Sequence, residues 1–303
     1  MFSLDFALGL SRIARTPPSL LPKGELLRAY VKLGIQSRAM RHLPGAPAAL
    51  KIFGYRVAYL DYQSFARLFD GIFLRQQYYF CSRKPDPLIV DGGSNIGMAV
   101  LYFKKIYPEC RVIAFEPCAK AFDKLACNVM SNNLSSVSLH RKAIHDEAGT
   151  VLVFRGENDP GSLRTSTRRE RVWGDKKATP VEAVLLSDYI VEQIDLLKLD
   201  IEGSEARVLQ ELAGHGKLEM IRQLIVEYHH HVRREEDGLS NLLGLLERHG
   251  FGYQVRADFA LPHRKASFQD VLIYAYQKSE LDAGERLARR APAGGRTSGQ
   301  GRT

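Results

Sequence analysis

The stretch Pro87–Gly97, PLIVDGGSNIG, decides how the rest of the chain is read. Its apolar run ends in Asp91, followed by Gly92, Gly93, Ser94, Asn95, Ile96 and Gly97. MAVLYFKKIY comes next, with apolar residues at helical spacing. The pattern is strand, tight glycine turn, helix. Paired glycines let the backbone take conformations a Cβ forbids and let a ligand approach the main chain. A helix starting near Gly97 presents unpaired N–H groups and the positive end of its dipole. In an open α/β sheet such a turn borders the ligand crevice.

The turn alone does not name the ligand. A dinucleotide turn needs G-x-G-x-x-G, and Ser94 stands where its second glycine belongs. The P-loop lysine is missing. G-x-S-x-G, the nucleophile elbow, fails at Ile96. What remains is D-G-G-S-N-I-G, with a second acidic residue closing the next strand, RVIAFEP, at Glu116. A carboxylate there can accept both hydroxyls of a ribose, and Asp91 can accept from an ammonium group. An adenosine carrying an amino acid has both features, which points to S-adenosylmethionine (SAM). The competing reading is a plain turn without a ligand; turn, Asp91 and Glu116 occurring together argue against it.

VDGGSNIG, AFEP, DLLKLDIEGSEARVL and IVEYHH, in that order and spacing, resemble the FkbM-type SAM-dependent methyltransferases. The likeness runs from about Ile52 to Tyr276, and LDIEGSE is its most diagnostic part. The resemblance implies a class I methyltransferase fold: a doubly wound, seven-stranded, mostly parallel α/β sheet. It also implies SAM as cofactor, with hydroxyls on sugars, glycans or polyketide-like small molecules as methyl acceptors.

The chain has 303 residues, 45% of them hydrophobic, enough for one large domain with additions. Its net charge is +9, but Met1–Gly45 holds seven basic and two acidic residues and Leu281–Thr303 five and two, leaving the centre nearly neutral. Basic excess can signal nucleic acid or an anionic membrane; charge gathered at the ends reads as solvated termini. The cysteines at 81, 110, 118 and 127 form no C-x-x-C, and no histidine pair completes a zinc spacing. They suit a reducing cytoplasm. No apolar run reaches the roughly 18 residues of a membrane helix. MFSLDFALGL, with Asp5 inside it and no basic n-region, does not read as a signal peptide.

Residues 1–50 read as a helical extension, 51–280 as the methyltransferase domain and 281–303 as a flexible Arg/Gly-rich tail. KIFGYRVAYL suggests a hairpin, and Asp61 is placed to cap a helix running through YQSFARLFDGIFLRQQYYF. The aromatic residues of that helix read as core, apart from Tyr78 and Tyr79, which could face a ligand. From Pro85, strands LIVD, RVIAFE, VSLH, DLLKLD and IRQLIVE alternate with helices near Met98–Ile106, Ala119–Asn132 and Ser204–Leu212. That alternation indicates a parallel sheet. VLVF and VEAVLL read as an antiparallel pair flanking a polar, arginine-bearing loop, either a solvated surface or a lid over the acceptor. A helix over LSNLLGLLERHG and strands GYQVRA and DVLIYAY complete the domain.

Chemistry is expected at the carboxyl ends of the strands. Asp91, Gly92, Gly93, Asn95 and Gly97 are assigned to the methionine and ribose, Glu116 to the ribose diol, and the backbone of Lys142 and Ala143 to adenine. Asp200, Glu202, Glu227 and His229 form the acceptor cluster, from which a carboxylate or a neutral histidine would take the acceptor's proton. Glu202 could instead cap the following helix, and Glu227 could pair with Arg222 or Arg207. His230 and His231 read as solvated loop residues. By type alone Asp200, Glu227 and His229 could hold a divalent cation, but ligand types give no geometry, and no metal is assigned. A nucleic-acid methyltransferase and a non-catalytic binding domain are the other readings. The terminal placement of the basic residues argues against the first; the second requires that SAM does not bind.

Overall fold

In the computed structural model, residues 9–14, 21–40, 49–156, 166–171, 176–232, 238–257 and 268–280 are described. Helix α1 (Lys23–Met40) follows a helical segment at 9–14, then strands β1 (Ala49–Ile52) and β2 (Tyr55–Ala58) pair as the expected hairpin. Asp61 caps helix α2 (Tyr62–Phe69), its carboxylate accepting from the Ser64 N–H at 2.8 Å. The helix does not run on to Phe80. It widens into a π-helical turn at Asp70–Leu74 and stops, since Gln76 turns to φ 51°. Phe65, Phe69 and Phe73 are core, with Phe53 stacked on Phe73 at 4.8 Å. Tyr78 is buried, while Tyr79 is exposed on the surface.

The main sheet takes β3 (Leu88–Gly92), β4 (Arg111–Phe115), β5 (Val137–His140), β9 (Leu196–Leu199), β10 (Gln223–His230), β11 (Phe251–Ala257) and β12 (Gln269–Gln277). Their order is β11-β12-β10-β9-β3-β4-β5, and β12 is the strand that runs antiparallel to its neighbours. Strand order reverses beside β3, which puts the crevice at the glycine turn. Helices α3 (Met98–Ile106) and α4 (Ala119–Ser131) cover one face; α5 (Glu205–Gly214) and α6 (Leu239–Arg248) cover the other. No helix among the described residues is long and apolar enough to cross a membrane.

Strand alternation positions the polar residues. Ile89, Leu196 and Ile225 pack on the α3/α4 side, while Leu88, Val90, Leu197, Leu199, Leu224 and Val226 pack on the other. The same two-residue period carries Asp91, Lys198, Glu227 and His229 to the α3/α4 side. Three further strands, β6 (Ala143–Ile144), β7 (Gly149–Gly156) and β8 (Lys176–Val184), form a separate sheet. Within it β7 and β8 are the expected antiparallel pair, in register from Gly149↔Ala183 to Gly156↔Lys176. The arginine-bearing loop falls partly outside the described residues, as do residues 281–303 and 1–8.

Candidate active site

A cleft opens at the carboxyl ends of β3, β4, β9 and β10. Of the residues assigned from sequence, Gly93, Asn95, Glu116, Lys142, Ala143, Asp200, Glu202 and Glu227 line it. Asp91, Gly92, Gly97 and His229 do not; they stand behind the lining.

The turn that opens the cleft is set by contact with β9. Gly93 has φ +82°, and a Cβ there would lie 1.8 Å from the Asp200 carbonyl oxygen. No other residue fits that approach. Gly97, φ +86°, begins α3 against Leu125. Beside the turn, both carboxylate oxygens of Glu116 are fixed by backbone: Oε2 accepts from the Asn95 N–H and Oε1 from the Cys118 N–H, each at 2.8 Å. Burial pushes the Glu116 carboxyl up to about 7, against the pull of those two hydrogen bonds. Each oxygen keeps a lone pair for a second donor.

Asp91 is fully buried and its Oδ1 lies 2.9 Å from Lys198 Nζ. The two residues are direct cross-strand partners on β3 and β9. The group facing the cleft here is therefore the lysine, which corrects the direct ammonium contact expected of Asp91. Lys198 Nζ also donates to the Gly93 carbonyl at 2.7 Å and lies 5.1 Å from the centre of the Tyr78 ring. Lys198 has a legible signal in the sequence: a single cation inside the apolar run LLKL.

On the far side of the cleft, the Tyr78 hydroxyl lies 3.3 Å from Asp200 Oδ2 and 3.4 Å from Glu227 Oε2, and its one proton can serve only one of them at a time. The nearby Asp200 charge, with burial second, raises Glu227 to about 8. At neutral pH Glu227 therefore keeps its proton. Glu227 makes no ion pair with Arg222 or Arg207, which instead face Asp195, Glu280 and Asp146.

His229 does not have the environment of a neutral base. Its Nδ1 lies 2.8 Å from Glu205 Oε1 and its Nε2 3.2 Å from Glu202 Oε2. Burial opposes charge on the ring, but the carboxylates of Glu205 and Glu202 outweigh it and hold the imidazole well above its usual range. Glu205 also accepts from the Gly203 N–H at 2.9 Å and the Ile201 N–H at 3.2 Å, so Glu205, rather than Glu202, ties down the start of α5. Burial works to raise the Glu205 carboxyl, yet the charge and hydrogen bond of His229 leave it below the usual carboxylate range. Sequence reasoning missed Glu205, which reads as an ordinary first-turn acid. Neither His230 nor His231 is a solvated loop residue: His230 is buried in β10, and His231, just past its end, is half-buried and packed on the His230 ring. Ligand atoms from Asp200, Glu227 and His229 do lie within 4.8 Å of one another. The raised imidazole is itself the cation facing these carboxylates.

The arm that follows β7 returns to the site at Ser166 and Thr167. Ser166 Oγ donates to the Glu202 carbonyl, and Thr167 Oγ1 lies 3.0 Å from Ser204 Oγ. Thr167 lines the cleft.

The profile of the Methyltransferase FkbM domain matches residues 91–253, which run from the buried aspartate of β3 into β11. Methyltransferase sdnD of Sordaria araneosa is 29% identical over 220 residues, covering 62% of this chain and 83% of that protein. The 31-O-demethyl-FK506 methyltransferase FkbM of Streptomyces tacrolimicus is 28% identical over 230 residues, covering 65% and 86%. The 2-O-methyltransferase NoeI of Sinorhizobium fredii is 28% identical over 160 residues, covering 48% and 64%. With the glycine turn, Glu116 and the acidic ends of β9 and β10 gathered on one cleft of a doubly wound sheet, the chain belongs to the FkbM family of class I methyltransferases.

Proposed function

We propose that the protein binds SAM at the β3–β4 side of the cleft and methylates a hydroxyl on a sugar, glycan or polyketide-like small molecule. The observation that carries the cofactor assignment is Glu116, whose two oxygens are aimed by backbone N–H groups and still have acceptor capacity for a ribose diol. Lys142 and Ala143, also on the lining, lie where adenine would be met. The hydroxyl assignment follows the named activities of two relatives, a 31-O-demethyl-FK506 methyltransferase and a 2-O-methyltransferase.

SAM supplies a methyl group on a sulfonium, and its in-line transfer to an alcohol forms the C–O bond, breaks the C–S bond and leaves S-adenosylhomocysteine and a proton. The work of the chain is placement and proton removal. An acceptor held about 3–3.5 Å from the methyl and in line needs no acid for the neutral leaving group. Asp200 takes the hydroxyl proton as the bond forms, helped by the neighbouring Glu227 once that group is ionised. Tyr78 orients that pair. His229 acts as a positioning residue, its charged ring fixing Glu202 beside Asp200. Lys198, anchored by Asp91, keeps the Gly93 carbonyl turned inward. The four free thiols suit a cytoplasmic enzyme.

Calorimetry with SAM, followed by incubation with methyl-labelled SAM and fractionated cell extract, tests the reading. Saturable SAM binding and label in the glycan or small-molecule fraction are expected. Absence of SAM binding would overturn the cofactor assignment, and label in nucleic acid would overturn the acceptor class.

A further inference from the structure

On the α1 side of the molecule lies a second cleft that methyl transfer does not use. Its lining includes Arg28 and Lys32 of α1, Lys51 of β1, Lys105 of α3, and a single carboxylate, Glu25. Glu25 is already paired with Lys105 at 2.9 Å. Arg28 reaches no carboxylate among the described residues; its Nε donates to the Gly24 carbonyl. Lys32 and Lys51 are exposed, and their side chains make no hydrogen bond or ion pair among the described residues. Beside this basic stripe α1 exposes an aliphatic one: Leu27 is 42% and Val31 37% exposed. Leu27 and Val31 are one helical turn apart, as are Arg28 and Lys32, so the two stripes run side by side along the helix. The buried face of α1, Leu26, Ala29 and Leu33, is packed into the core, which leaves both stripes outward.

We propose that α1 and the β1–β2 hairpin form a docking face for an anionic lipid bilayer. Cations attract acidic headgroups, and adjacent aliphatic side chains enter the boundary between headgroup and acyl chain. The exposed apolar residues distinguish this partner from single-stranded nucleic acid, whose binding surfaces offer aromatic platforms. Here the neighbouring ring, Phe53, is stacked against Phe69 and Phe73 and is not available to a base. The proposal is independent of what the enzyme methylates.

Sedimentation of the full chain with vesicles tests it, comparing pure phosphatidylcholine with phosphatidylcholine containing phosphatidylglycerol. Binding should be at least about tenfold greater on the anionic vesicles and should fall as salt is raised. The double variant Lys32→Glu/Lys51→Glu should sediment at the level seen with neutral vesicles, whereas Lys177→Glu on β8 should stay within about twofold of the wild type. Leu27→Ser/Val31→Ser should lose binding about fivefold while keeping the salt dependence. Unchanged melting temperature and SAM affinity in each variant establish that the fold is intact. Equal sedimentation with both vesicle types, or wild-type binding by Lys32→Glu/Lys51→Glu, would overturn the proposal. Wild-type binding by Leu27→Ser/Val31→Ser would overturn it as well, by showing a polyanion site without bilayer contact.

Discussion

The two halves of the cleft are held by different means. On the β3–β4 side, Glu116 is fixed by two backbone N–H groups, Cys118 just after it and Asn95 in the glycine turn, and the turn by a glycine against a carbonyl. On the β9–β10 side, Asp200, Glu227, Glu202, His229 and Glu205 meet mainly side chains, one another's and that of Tyr78, with backbone N–H groups holding Glu205. Backbone-fixed groups tolerate a change in their neighbours. A charged side-chain network does not, because removing one member leaves another buried without a partner.

The largest expected effect breaks chemistry without touching the first half. Asp200→Asn should lower turnover about a hundred- to ten-thousandfold, the range for loss of a general base, with SAM affinity nearly unchanged. Steady-state rates beside calorimetry would separate the two; near-normal turnover would remove Asp200 from the chemistry. Next, Glu205→Ala should destabilise the fold by about 3–5 kcal/mol, because the buried His229 ring loses its Nδ1 partner and keeps Glu202 alone. Denaturant titration reads this out, and a change below about 1 kcal/mol would mean that the network is slack. On the other side, Glu116→Ala should weaken SAM binding by about 1–3 kcal/mol and leave stability close to wild type. If instead it unfolds the protein, the contrast between the halves fails.

Dependence on pH sharpens the comparison further. Glu116 and Glu227 ionise near 7 and 8 in the folded protein but in the ordinary carboxylate range once unfolded. The unfolded chain therefore releases these protons first. Stability is greatest below the ordinary range and falls as pH rises through the folded values. Melting temperatures from about pH 5 to 9 should decline, and Glu116→Gln and Glu227→Gln should each flatten the slope. Turnover should move the opposite way, rising as Glu227 loses its proton and levelling above about pH 8. The smallest effect is Tyr78→Phe, which should reduce turnover by about 1 kcal/mol, and SAM affinity by less.

The same division governs what could be read beforehand. Glycine spacing, strand alternation and the acidic residue closing RVIAFEP are local signals, and they located the crevice, the strands and Glu116. Seven strands were expected, and their order places the hairpin of β11 and β12 at one edge. The partners of Asp91 and His229 were not read, because each pairing depends on which strands end up adjacent. Asp91 and Lys198 are 107 residues apart in sequence yet direct neighbours in register. His229 suggested a neutral base by its intrinsic titration range, and two carboxylates from another segment removed that role. The helix after Asp61 was read too long because apolar spacing continues past Leu74, while the positive φ at Gln76 leaves no trace in the hydrophobic pattern.

Among the described residues, the arm between β7 and β8 reaches the turn between β9 and α5 through two small hydroxyls, Ser166 and Thr167. An arm that borders the cleft at Thr167 can change in length and composition while the glycine turn and Glu116 stay put. Exchanging arms between relatives, with those hydroxyls retained, becomes a practical route to new acceptors.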